Sequence, residues 1–350
     1  MEFISDYGLF LLKAITVVAS IVIVIVVVTA AGMKKREKKG GIFVEDINDN
    51  FSDYADTMFQ AIASDKEVKD KQKADKKAEK AKKKESKKTT NDKTQNDNDI
   101  KPRRFVIEFD GDIKASQAEL LRFEVTAILS IAKPGDEVVV RLESPGGVVH
   151  GYGFAAAQLD RLKKADLTLT IAIDKVAASG GYMMACLGDK IIASPFAVVG
   201  SIGVLAQMPN FHRLLKKNHV DVELHTAGKF KRTLTMLGEN TDEAREKFKE
   251  ELEDIHSLFK EMVAEARPKL DIDRVATGEA WYGKRALELN LIDEIQTCDD
   301  YLFSGREKYD QFSVEWREKV GMADRLGIAA LSTVKRGVIS LYSAMQRPNV

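Results

Sequence analysis

Arg104 to Gly111 reads RFVIEFDG, and Ser116 to Ala132 follows it with SQAELLRFEVTAILSIA. The first reads as a strand, and the second carries apolar residues at helical spacing. Outward from this pair the alternation continues. DEVVVRLES (Asp136 to Ser144) is a second strand, GFAAAQLDRLKKA (Gly153 to Ala165) a second helix, and LTLTIAID (Leu167 to Asp174) and KIIASP (Lys190 to Pro195) are two more strands. Strands alternating with helices imply parallel pairing, so the expected fold class is α/β. Asn240 to Pro268 then predicts one long helix, with Asn240 and Glu243 as an N-cap pair and Pro268 as the stop. Its residues Phe248, Leu252, Ile255, Phe259, Met262 and Val263 form one stripe suited to core packing.

The 350 residues are 44 % apolar, enough for a sizeable core. Fifty-four basic and 54 acidic residues balance, so net charge gives no argument for a nucleic-acid partner. Cys186 and Cys298 form neither a disulfide framework nor a C-x-x-C pair. Ahead of the α/β region, Ala14 to Met33 runs 20 residues without a charge. At about 1.5 Å per residue that is roughly 30 Å, the thickness of a bilayer core, and it predicts a single transmembrane helix. A cleaved signal peptide fits less well, because Glu2 and Asp6 precede Lys13 and the apolar run is too long. Between Lys66 and Lys88 stand twelve lysines and five acids with almost no large apolar residue. That composition reads as a solvated tether, with contact to anionic lipid headgroups as the alternative. The resulting division is a tail (1–13), a transmembrane helix (14–33), a juxtamembrane segment with one small helix (34–64), a Lys-rich linker (65–101), a catalytic domain (102–300) and a helical extension (301–350).

Three short motifs follow predicted strands, where an α/β sheet gathers its functional groups. In ESPGGVVHG, Glu143 to Gly151, a Pro-Gly-Gly turn exposes backbone amides suited to an oxyanion, although turn punctuation alone accounts for most such runs. In DKVAASGGYMMA, Asp174 to Ala185, Ser179 sits among alanines and glycines at a strand-to-helix turn. It is either a nucleophile or part of a tight packing turn. A serine nucleophile needs a base. His150, His212, His219, His225 and His256 stand in no recognisable triad setting. Lysine serves instead if burial lowers its pKa from about 10.4 to about 7 to 8, a shift that costs about 4 kcal/mol and demands enclosure. HTAGKFKRTLT offers Lys229 and Lys231, which share a side if the segment is extended.

Taken together and in this order, SPGG, AASGGY, GSIGV (Gly200 to Val204) and GKFK resemble the signal peptide peptidase A family of serine peptidases. The similarity is greatest to its single-domain, membrane-tethered bacterial inner-membrane members. That resemblance implies a ClpP/crotonase-like α/β fold behind one N-terminal transmembrane helix. It also implies a Ser-Lys dyad with Ser179 as nucleophile and Lys231, rather than Lys229, as general base, 231 − 179 = 52 residues apart. Ser201 takes the place of the residue that orients the lysine, and Gly147 and Gly180 supply the oxyanion amides. No metal or cofactor is implied. Substrates would be small or extended apolar peptides, such as signal-peptide-like or unfolded segments, and a ring-like homo-oligomer would complete the sites between subunits. Where Clp-type proteases carry a histidine, GSIGV stands here, which argues against Ser-His-Asp chemistry. Two other classes remain open: an acyl-CoA enzyme on the crotonase fold, and a catalytically inactive membrane scaffold. The expected location is the bacterial inner membrane. KKREKK at Lys34 to Lys39 places the catalytic domain on the cytoplasmic side by charge, whereas the resemblance implies the opposite face.

Overall fold

The computed structural model describes residues 40–71, 73 and 101–318, with Lys13 and Thr16. The expected transmembrane helix at 14–33 lies outside the described residues apart from Thr16, as do most of the linker and residues 319–350. Among the described residues, no helix is long and apolar enough to cross a membrane. Residues 42–316 form one compact unit.

In order, the elements are β1 (Gly40–Asp46), α1 (Ile47–Ile62), β2 (Arg103–Asp110), α2 (Ala118–Leu129), β3 (Glu137–Glu143), α3 (Val149–Lys163), β4 (Thr168–Ile173), β5 (Val176–Ala178), α4 (Gly180–Ala185), β6 (Lys190–Ala193) and β7 (Val198–Gly200). They continue with α5 (His212–Lys217), α6 (Asp242–Ala266), α7 (Ile272–Val275), β8 (Ala280–Tyr282), α8 (Gly283–Glu288), β9 (Glu294–Ile295), α9 (Cys298–Gly305) and β10 (Asp310–Glu318). Seven strands form one sheet in the order β1-β10-β2-β3-β4-β6-β9, with β10 through β9 paired in parallel. A second sheet, β5-β7-β8, is mixed: β5 and β7 are parallel, β7 and β8 antiparallel.

The main sheet is covered on both faces, which is why β3 reads as a continuous Val138-Val139-Val140 run. Ile107, Phe109, Val138, Val140 and Leu142 turn toward Leu121, Val125 and Ile128 of α2 and Leu159 of α3. On the other face Val106, Val139, Ala172 and Ile192 meet Cys298 and Leu302 of α9, with Ile47 and Phe51 of α1 against them.

Several boundaries differ from the sequence reading. Phe43–Asp46 belongs to strand β1, and only then does the small helix begin, capped by Asp46 through the Asn48 and Asp49 amides. Helix α6 is capped by Thr241, whose hydroxyl accepts from Ala244 N–H; Asn240 instead exchanges two hydrogen bonds with the Thr235 backbone. Of its stripe only Phe259 and Val263 are buried. Residues 310–318, assigned to a helical extension, form a strand because their alternating apolar positions Phe312 and Val314 extend the sheet beside β2.

One buried carboxylate couples the end of that strand to pH. Glu124 of α2 is 5 % exposed and accepts the Trp316 backbone N–H at 2.8 Å. Burial pushes its carboxyl from 4.5 up to about 7. The folded chain therefore binds this proton more tightly than the unfolded one. Stability from this group is full below about pH 4.5 and falls as pH rises to about 7, by about 3 kcal/mol in total. Glu124→Gln, neutral at every pH, is expected to be flatter than wild type in thermal unfolding between pH 5 and pH 8. An identical pH profile would refute the assignment.

Candidate active site

The second sheet builds the site. Ser144, the residue after β3, bridges to β5: its N–H donates to Val176 O at 2.8 Å and its carbonyl accepts from Ala178 N–H at 3.0 Å. Ser179 follows β5 directly and caps α4 with φ 52° and ψ −118°. Non-glycine residues adopt such a conformation only when their surroundings enforce it. Here its N–H donates to Gly200 O at 2.8 Å and its carbonyl accepts from Met183 N–H at 3.0 Å. The Ser179 hydroxyl has no hydrogen-bond partner within the described chain.

The Pro145-Gly146-Gly147 turn packs directly over this elbow. At Gly146 φ is 90°, and a Cβ there would stand 2.7 Å from both Ala178 O and Ser179 Cβ. Only glycine meets both conditions. Gly180 lies flat on the Tyr152 ring, again with no room for a side chain. Ser179, Gly146, Gly147, Gly180 and Ser201 open into one cavity of about 810 Å3. Its walls include Ile113, Val149, Met183, Val204, Ile255 and Phe259. Neither Gly147 nor Gly180 N–H has an internal acceptor among the described residues, so both amides are available to a bound oxygen.

Ser201 shares the cavity, with φ 53°, its N–H donating to Glu279 O at 2.7 Å and its hydroxyl to Gly278 O at 3.4 Å. Lys231 does not share it. It is exposed in an irregular stretch, with its backbone N–H on Gly228 O at 3.1 Å, and it is not among the cavity's lining residues. Lys229, the alternative, forms an exposed ion pair with Glu243 at 2.7 Å. The segment is not extended, so the shared side expected for the two lysines does not arise. No residue from 205 to 237 is buried. A single chain thus unites Ser179, Ser201, Gly147 and Gly180, and leaves Lys231 elsewhere.

The structure adds residues that the motifs did not single out. Ser144 and Tyr152 lie beneath the turn, and Ile255, His256 and Phe259 bring the long helix to the cavity wall. Of the five histidines only His256 reaches it, with its Nε2 buried and unpartnered. A helical stripe in sequence identifies a face but not which of its residues meets a cavity. Among the described residues no group of three or more His, Cys, Asp or Glu is placed to hold a metal ion.

Comparison with known proteins identifies the family. The family profile described as Peptidase family S49 N-terminal matches residues 2–159, and that described as Peptidase family S49 matches residues 161–310. A "Probable protease SohB" of Haemophilus influenzae is 45 % identical over 345 residues, 99 % of this chain and 98 % of that protein. Its namesake in Buchnera aphidicola subsp. Schlechtendalia chinensis is 46 % identical over 304 residues, 87 % of this chain and all of the relative. Among solved structures, the 1510-N membrane-bound stomatin-specific protease aligns with 59 % of this chain and 84 % of its own at 12 % identity, with a TM-score of 0.38. With near-complete coverage of both chains at 45 % identity, the protein belongs to peptidase family S49.

Proposed function

We propose that the chain is a membrane-anchored serine endopeptidase of ClpP/crotonase-like architecture that works through a Ser179-Lys231 dyad. The observation that carries this reading is the elbow: an unpartnered serine hydroxyl, held in a strained conformation, facing a cavity beside two free glycine amides. Lys231 Nζ takes the Ser179 proton as Oγ attacks the peptide carbonyl carbon, and the Gly147 and Gly180 amides hold the resulting oxyanion. Collapse of the tetrahedral intermediate breaks the C–N bond, and the lysine returns its proton to the leaving amine. Water, deprotonated by the same lysine, then attacks the acyl ester, and a second collapse frees Ser179 and the new carboxylate.

A lysine acts as a base only when enclosed. Because Lys231 is exposed within its own chain, the enclosure comes from a second copy whose Ser179 it serves. The segment that carries it supports this arrangement: Leu205, Phe211, Leu214, Val220, Leu224 and Phe230 all stand exposed, an apolar surface of the kind that partners cover. Ser201 orients the incoming lysine. The apolar residues of the cavity wall favour extended apolar peptides, and residues 14–33 anchor the enzyme to the bilayer. Purified full-length protein is expected to degrade an unfolded protein substrate, and Ser179→Ala to abolish that activity with oligomer size and thermal unfolding unchanged. Wild-type rates in Ser179→Ala would overturn the proposal.

A further inference from the structure

Beneath the two glycine amides runs a buried chain of hydrogen bonds that the reaction scheme does not use. Tyr152 of α3 is fully buried. Its hydroxyl donates to the Asp112 carbonyl at 2.8 Å and lies 2.6 Å from Ser144 Oγ. Ser144 Oγ in turn accepts the Gly146 N–H at 3.1 Å. Each hydroxyl has one proton, so a single arrangement makes all three bonds. Gly146 N–H donates to Ser144, the Ser144 hydroxyl to Tyr152, and the Tyr152 hydroxyl to Asp112. The chain joins two loops 34 residues apart, at Asp112 and Gly146. The ring that carries the central hydroxyl is also the surface on which Gly180 rests.

Other contacts tie the same parts together. Val148 N–H donates to Ile113 O at 2.8 Å, across the tight approach of Gly147 to the Ile113 backbone. A Cβ on Gly181 would stand 2.6 Å from Ser144 O, so α4 begins directly against Ser144. Ser144 therefore contacts the strand before Ser179, the turn before Gly147 and the start of α4. Its backbone pairs with the strand that leads to Ser179, and its hydroxyl sets the turn that carries Gly147.

We propose that Tyr152 and Ser144 are positioning residues for the oxyanion site, a role that rests on the Ser179 reading above. Oxyanion stabilisation depends on donors fixed at hydrogen-bond distance before charge develops. Neither side chain touches the substrate. Both act by holding the Gly147 and Gly180 amides convergent through the hydroxyl chain, which sets the turn that carries Gly147 and pins the Tyr152 ring under Gly180. Tyr152→Phe keeps that ring and removes only the hydroxyl, while Ser144→Ala breaks the same chain from its other side.

The test uses the full-length protein, a peptide substrate and a peptide aldehyde, which forms a tetrahedral adduct on the serine. Tyr152→Phe is expected to lower kcat about 10-fold with KM within about twofold, because the loss falls on the transition state. Aldehyde affinity should fall by the same factor, and binding of the cleaved product peptide should not change. Ser144→Ala should match it, and the double variant should be little worse than either alone, since both delete one network. A purely structural role would lower the thermal midpoint and leave kcat and aldehyde affinity of the folded enzyme intact. That outcome, in Tyr152→Phe or, should that variant not fold, in Ser144→Ala, overturns the proposal. Activity retained in Ser179→Ala would instead remove the reading on which it rests.

Discussion

Ser179→Ala and Lys231→Ala chains, each inactive alone, are expected to regain activity when they assemble together. Each loss should be on the order of 10^4-fold, since removing one member of a nucleophile-base pair disables the other. In a mixed assembly, some sites pair the intact Ser179 of one chain with the intact Lys231 of its neighbour. For equal amounts and random assembly that is about a quarter of all sites, and the recovered rate should approach that fraction of wild type. The expectation follows from the separation of the two residues: Ser179 lines the cavity, whereas Lys231 is exposed on a segment with no buried residue between 205 and 237. Co-expression with two distinguishable tags isolates the mixed species. No recovery in a verified mixed assembly would mean that Lys231 serves its own chain or serves no site.

The largest effect on stability is expected at the far side of the sheet from the cavity. Arg104 and Glu137 are each 3 % exposed and pair through Arg104 Nε and Nη2, both 2.8 Å from Glu137 Oε2. Glu137 Oε1 accepts from the Thr170 and Tyr301 hydroxyls, each at 2.6 Å. Arg104 Nη1 reaches Gln311 Oε1 at 3.1 Å, and the guanidinium stacks over the Tyr301 and Tyr309 rings. One network thus ties β2, β3, β4, α9 and β10. Arg104→Ala strands a buried carboxylate and should cost about 3–5 kcal/mol in urea unfolding. Arg104→Lys cannot reproduce the fork or the stacking and should recover only part of that. Asp299→Ala breaks an ion pair with Arg141 in which Asp299 is 84 % exposed, and should cost about 1 kcal/mol or less. A similar small cost for Arg104→Ala would show that water reaches Glu137 in the folded chain.

Periodicity made the long elements legible. Leu121, Val125 and Ile128 of α2 are buried at the helical spacing read from sequence, and the Val138-Val139-Val140 run became a strand covered on both faces. The three-residue strands β5, β7 and β8 were not legible, because so short a run carries no period. Those strands nonetheless build the elbow. Turn chemistry partly filled the gap: small residues around Ser179 and the Pro-Gly-Gly run marked places where backbones approach closely, and the structure puts both at one cavity. Ser144 and Tyr152 gave no such signal, since a serine before proline and a tyrosine on a helix are ordinary residues until their hydroxyls meet.

By itself, then, the sequence determined the α/β alternation, the turn that presents Ser179 and the glycines that must pack without side chains, because each depends on residues close together in the chain. The tertiary structure decided which loops converge, which face of the long helix walls the cavity, and that Lys231 stands apart from Ser179. Those outcomes depend on contacts between residues 34 or more positions apart, such as Asp112 with Gly146 through the hydroxyl chain and Ser201 with Gly278. No local pattern encodes such distances. They are fixed only when burial of the whole sheet selects one arrangement of its loops.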